Sequence, residues 1–152
     1  MTSVLVTGAA GFVGSHFARV AHDAGLSVVA IDDLSTSTSW PQLPEDIERI
    51  VGDVADRTLV TKIVTGRSVD AIVHFAGRIR VDESMREPAL YFEQNVARTA
   101  VLLDAATLAV SRPPCVRPVV ERRGVRSAGA LTDRREFASA SDQSVRLKQA
   151  LR

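Results

Sequence analysis

The chain is short of several things that whole classes of protein require. Its one cysteine, Cys115, cannot close an internal disulfide. No apolar run reaches the roughly 18 residues of a membrane helix, and Met1–Gly8 carries no basic leader. Secretion and membrane spanning are therefore unsupported, and a cytoplasmic setting is expected. Of the three histidines, His16 and His22 lack partners at metal-ligand spacing, and His74 sits in an apolar run as a core imidazole would, so no metal site is expected. Tyrosine occurs once, at Tyr91, and the first lysine is Lys62. With 152 residues and 45% hydrophobic content the chain can bury one ordinary core.

The net charge of +1 hides a division. Residues 1–108 hold 9 Lys/Arg against 14 Asp/Glu, a balance of −5, whereas residues 109–152 hold 10 against 4, a balance of +6. Nine of the ten cations in the tail are arginine, and Phe137 is its only aromatic. A basic tail can seek nucleic acid, but without aromatic interleaving or helical spacing a nucleic-acid role is not expected.

What is present is an alternation of strands and helices. Val4–Val6 is β-rich and stops at Thr7-Gly8. Phe12, Val13, Phe17, Val20 and Ala21 then recur at helical spacing up to Gly25. Ser27–Ile31 predicts a second strand and residues 35–44 a polar loop. Ile50–Val51 predicts a brief third strand, and residues 56–66 a helix with Leu59, Val60, Ile63 and Val64 inward. Ala71–Phe75 predicts a fourth strand, followed by a charged loop and a helix opened by Pro88 that runs to about Leu108. Such alternation implies α/β architecture, a doubly wound parallel sheet with right-handed crossovers. Beyond Ala109 only residues 116–120 look strand-like, and Pro118 interrupts them.

The glycines at Gly8, Gly11 and Gly14 close the first strand and open the first helix. Phosphates approach backbone N–H groups only where side chains are missing, and the helix start adds the positive end of its dipole. Asp32 ends the next strand 18 positions after Gly14, where a carboxylate accepts from an adenosine ribose and repels a 2′-phosphate. NAD is therefore the expected cofactor, rather than NADP.

The segments VTGAAGFVGSH, IDDLSTS, GDVAD, IVHFAG and VDES, with the spacing Pro88–Tyr91–Asn95-Val96, resemble the NAD-dependent epimerase/dehydratase family of extended short-chain dehydrogenases/reductases, most nearly its UDP-glucose 4-epimerase branch. The resemblance covers residues 1 to about 108 and implies a Rossmann-like half-domain of strands 1–4. It places Phe12 and Val13 at the pyrophosphate turn, and Asp32, Asp33, Leu34, Ser35, Thr36 and Ser37 around the adenosine ribose. Asp53 and Val54 fall beside the adenine, Phe75, Ala76, Gly77 and Arg78 on the nicotinamide side, and Gln94 or Asn95 near the cofactor. Read from the residues alone, Phe12, Val13, Val54 and Phe75 are also candidate core residues. Asp33 and Asp53 are equally candidate turn formers, Arg78 and Arg80 a solvated face, and Asn95 a loop tie. Arg98 departs from the family's usual glycine in its NVxGT segment, and Gln94 from a common asparagine.

The family's chemistry uses a serine, a tyrosine and a lysine four residues after it; the phenolate takes a sugar hydroxyl's proton while hydride passes to the nicotinamide. No tyrosine follows Ala109, and Tyr91 and Lys62 stand in the wrong order, so no catalytic residue is assigned. Read one base late, however, the codons of residues 116–126 allow FVLSSSAAVYG, and those of 132–149 allow PIDESSPLHPINPYGSSK. The second string carries Tyr-x-x-x-Lys at the positions of Val145 and Gln149. The expectation is thus an epimerase-like gene whose frame changes near residues 107–113, leaving 109–152 as an irregular, Arg-rich tail, strand 4 as a bare edge open to self-association, and NAD binding without catalysis. The nucleotide-sugar site of the parent family would be mostly missing. Two other readings stay open: a fragment complemented by a second chain, and a non-enzymatic NAD-responsive protein whose basic tail contacts nucleic acid.

Overall fold

A computed structural model describes residues 2–108 and 114–118, the last four of these as backbone only. The sheet is parallel throughout. Its strands β1 (Ser3–Thr7), β2 (Ser27–Asp32), β3 (Glu48–Val51), β4 (Ala71–His74) and β5 (Cys115–Pro118) lie in the order β3-β2-β1-β4-β5. Helices α1 (Phe12–Asp23) and α2 (Arg57–Gly66) make the first crossovers. A loop joins β2 to β3, and a fourth crossover follows β4, through α3 (Val81–Arg86), α4 (Pro88–Phe92), a π-helical turn over Glu93–Ala97 and α5 (Arg98–Leu108). The irregular tail expected over 109–152 lies outside the described residues apart from residues 114–118.

Strands buried on both faces account for the near-continuous apolar runs. Val4, Val6, Val28, Ala30 and Val73 face α1, with Leu43 and Ile47 from the loop before β3; Phe17, Trp40 and Phe75 pack on their rim. Leu5, Val29, Ile31 and Ile72 face α2 and α5, meeting Val60, Ile63, Val64, Leu102, Ala105 and Ala106. Asp56 caps α2, its carboxylate accepting from Leu59 N at 3.0 Å.

Three expectations are corrected. The edge of β4 is not bare: β5 pairs with it along its length, from Ala71 opposite Cys115 to His74 opposite Pro118. Pro118, which has no N–H to donate, stands at the last of the four paired positions described, opposite His74. The charged loop after β4 contains the short helix α3, whose first turn carries Asp82 and Glu83 and whose last carries Arg86, in accord with the helix dipole. In α1, Phe12 and Val13 face outward, Phe12 being 90% exposed, and the buried positions are Gly14, Ser15, Ala18 and Ala21. Small residues face the sheet because α1 starts almost in contact with the end of β1. A Cβ at Gly14 would lie 2.2 Å from Gly8 O.

Candidate dinucleotide site

The carboxyl ends of β1, β2, β3 and β4 converge on one rim of the sheet. At its centre the chain turns through Gly8, whose φ of +66° suits glycine and whose added Cβ would strike the Phe75–Ala76 backbone. Gly11 N donates to Gly8 O at 3.1 Å, and α1 then begins with Gly11 as its N-cap and no side-chain cap. The first N–H groups of α1 have no partner within the helix. A Cβ at Gly11 would meet only Gly8 O, at 3.2 Å, so this glycine borders open space.

A groove of about 750 Å³ runs over that helix start. Gly8, Gly11, Phe12, Val13 and Gly14 form its floor. Asp32 and Thr36 stand on one side, and Phe75, Gly77 and Arg78, with Ile79, Arg80, Glu83 and Tyr91 beyond them, on the other. Its size falls within the roughly 300–1,000 Å³ of small-molecule and cofactor sites. Asp32 is 8% exposed and ties the glycine turn to the loop after β2: Oδ2 accepts from Ala10 N and Oδ1 from Leu34 N, each at 2.9 Å. Leu34 is left-handed, with φ +58°, a conformation costly for a branched side chain and sustained by that bond to Asp32. Ser37 Oγ donates to Ala10 O at 3.3 Å, and Asp33 Oδ1 accepts from Ser35 N at 2.9 Å, the turn-forming arrangement anticipated for that acid.

Beside the groove lies a recess of about 60 Å³, lined by Asp33, Ser35, Thr36, Gly52, Asp53, Val54, Gly77, Arg78, Gln94 and Arg98. Asp53 forms a turn, accepting from Ala55 N through Oδ1 at 2.8 Å, and also an ion pair, accepting from Arg98 Nη1 through Oδ2 at 2.6 Å. Val54 and Phe75 pack against the two cores and also line these cavities. Asn95 ties down the loop after β4: Oδ1 accepts from Arg78 N at 2.8 Å and Nδ2 donates to Arg78 O at 2.9 Å. All the sequence-predicted residues except Leu34, Ser37, Ala76 and Asn95 line one of the two cavities. Leu34, Ser37 and Asn95 brace the loops around them. Ala76 N takes part in the floor beneath, donating to Thr7 Oγ1 at 3.3 Å.

Sequence reasoning missed the cluster that closes the far end of the groove. Tyr91 Oη donates to Glu83 Oε2 at 2.8 Å and accepts from Arg80 N at 3.0 Å, and Arg78 Nη1 donates to Glu83 Oε1 at 3.0 Å. The spacing Glu83–Tyr91 crosses two helices, and no local pattern announces it. Burial, then the bond to Glu83, raises the Tyr91 pKa above its ordinary value, and the phenol's hydrogen bond lowers that of Glu83, aided by Arg78 and Arg80. Tyr91 is therefore a protonated donor at neutral pH. His74 is the satisfied core imidazole expected, with Nδ1 2.7 Å from Thr7 Oγ1 and Nε2 3.0 Å from Thr99 Oγ1; burial depresses its pKa. Among the described residues no cluster of three or more His, Cys, Asp or Glu could hold a metal, and no helix is long and apolar enough to cross a membrane.

Comparison with known proteins gives a single answer. The family model described as the NAD dependent epimerase/dehydratase family matches residues 4–126. UDP-glucose 4-epimerase of Azospirillum brasilense is 40% identical over 102 residues, covering 67% of this chain and 29% of the relative. The enzyme of that name from Haemophilus influenzae is 37% identical over 109 residues, 66% of this chain and 32% of its own length. The structure of UDP-glucose 4-epimerase from Brucella ovis in complex with NAD superposes with a TM-score of 0.63 at 34% identity, covering 72% of this chain and 33% of that one. This chain thus spans about a third of the length of the curated relatives it matches.

Proposed function

Because the chain belongs to the NAD dependent epimerase/dehydratase family, we propose that residues 1–108 are a half-domain that binds NAD, derived from an enzyme that inverts C4 of a nucleotide sugar. The observation that carries this reading is the uncapped start of α1 lying under a groove of dinucleotide size, with an acid at the end of the neighbouring strand. The free N–H groups at Phe12 and Val13 take the pyrophosphate, and Gly11 lets it approach. Asp32, anchored on Ala10 and Leu34, keeps lone pairs for ribose hydroxyls, and Asp33, Ser35, Thr36 and Ser37 complete that wall. The base points outward along the carboxyl ends of β2 and β3, toward Asp53 and Val54, with Gln94 at its edge. Phe75, Ala76, Gly77 and Arg78 border the nicotinamide end, where Asn95 holds their loop. Bound NAD supplies a hydride acceptor at that end.

What these 152 residues do not supply by themselves is proton transfer. The reaction needs a phenolate with an ammonium nearby, whereas Tyr91, raised in pKa, already donates to Glu83, and Lys62 belongs to α2. The reading therefore includes catalytic incompetence of the 152 residues alone, and a change of frame near residues 107–113 as its origin.

Calorimetric titration with NAD, together with a coupled assay on UDP-galactose, tests both parts. Saturable binding without turnover is expected. Turnover by material whose carboxyl terminus is verified by mass spectrometry overturns the incompetence. The nucleotide sequence tests the frame separately: any Val145 codon other than GTA rules it out.

A further inference from the structure

We infer that Arg98 is a gate on the base seat, closed when its guanidinium lies on Asp53 and open when it swings to Glu93. This rests on the proposed placement of the purine beside Asp53 and Val54 and adds the residue that controls entry there.

Three observations converge. Both oxygens of the Asp53 carboxylate are engaged, Oδ1 by Ala55 N at 2.8 Å and Oδ2 by Arg98 Nη1 at 2.6 Å, so a base must compete with a guanidinium for the acid at its edge. The recess between them holds only about 60 Å³, while the groove next to it holds about 750 Å³. At roughly 10–15 Å³ of such space per water, that is room for about four to six waters, which a base set edge-on against Asp53 displaces together with the guanidinium. A second acceptor for the guanidinium is already in place, since Arg98 Nη2 is 3.9 Å from Glu93 Oε1, whose side chain is largely exposed.

The backbone explains how a residue on a helix reaches across to the end of β3. Glu93–Ala97 is π-helical, and Arg98 N donates to Glu93 O, five residues back. The extra residue per turn places Arg98 at the mouth of the recess and puts Glu93 and Arg98 one wide turn apart on the same side. Glycine, the family's usual residue at this position, has no side chain to pair with Asp53. Arginine makes the purine displace an ion pair whose two side chains are 27% and 39% exposed, a small cost by the standards of such pairs.

The test is binding by the full chain, with NAD, AMP and nicotinamide mononucleotide as probes, on Arg98→Gly, Arg98→Ala, Glu93→Gln and Ser35→Trp. Arg98→Ala guards against loss of the helix through glycine, and thermal melts check that each variant folds. With the gate removed, NAD and AMP bind about two- to five-fold tighter, while nicotinamide mononucleotide, which has no purine, is unchanged. Glu93→Gln, which weakens the open resting place, has the opposite effect on NAD and AMP. Unchanged or weaker NAD binding by both folded Arg98 variants overturns the gate. Ser35 is exposed and lines the recess, so Ser35→Trp plugs the seat from outside. If it weakens AMP and NAD while the Arg98 variants show no gain, the seat stands and the gate falls. If it leaves AMP and NAD binding unchanged, the purine lies elsewhere, and both ideas fall.

Discussion

Replacing Gly14 by alanine adds one methyl group, and the structure fixes where it goes. The new Cβ would lie 2.2 Å from Gly8 O, 2.9 Å from Gly8 C and 3.1 Å from Ala9 Cα. All three are backbone atoms of the turn that forms the floor of the groove, so no flexible side chain can move aside. Forcing such a contact apart costs about 1–3 kcal/mol or more. Alanine returns up to about 1 kcal/mol through its helix propensity at this position inside α1. A net loss of about 1–2 kcal/mol is expected, together with loss of NAD binding, because relief requires the Gly8–Gly11 turn to shift. Gly66 is the internal control: it ends α2 without positive φ, and a Cβ there meets nothing within 4 Å. Gly66→Ala should therefore stabilise by about 0.4–1 kcal/mol. Urea unfolding followed by circular dichroism measures both variants, and NAD titration separates their effects on the groove. A Gly14→Ala protein as stable as the parent would refute the close approach of α1 to β1 on which the site depends.

Asp32→Ala removes the acceptor shared by Ala10 N and Leu34 N and, on the proposed reading, the partner of the ribose. NAD binding should fall about 10- to 100-fold, the worth of a hydrogen bond to a charged group, with a loss of stability as Leu34 loses its support; calorimetry and melting check the two effects. Asp56→Ala removes the cap of α2 and should cost about 1 kcal/mol in urea unfolding without altering NAD affinity. His22 Nε2 lies 2.7 Å from Asp46 Oδ2, and this hydrogen bond is the main cause of its raised pKa. A raised folded pKa gives stability that is full below the unfolded value near 6.5 and vanishes as pH climbs through the folded value. His22→Gln should therefore lower the melting temperature at pH 5.5 more than at pH 8.5, and an equal effect at both would refute the pairing.

The sequence by itself determined the alternation of strands and helices, the glycine turn, and the acid at the end of β2. Each is a local matter: period, φ requirement, or spacing along one crossover. It also carried the turn role of Asp33 and the loop tie of Asn95, since turn acids and loop ties depend on neighbours a few residues away or on one partner loop. Tertiary structure decided what depends on distant pairs. Phe12 and Val13 match the helical period yet face outward, because contact between the α1 start and Gly8 leaves room only for Gly14, Ala18 and Ala21 on the inner side. The fifth strand covers β4 with Pro118 set opposite His74, because the pairing is imposed by the neighbouring strand and not by local propensity. The Tyr91–Glu83–Arg78 cluster and the Arg98–Asp53 pair join residues 5 to 45 positions apart, and the widest of these contacts form only once the sheet has set the ends of its strands side by side.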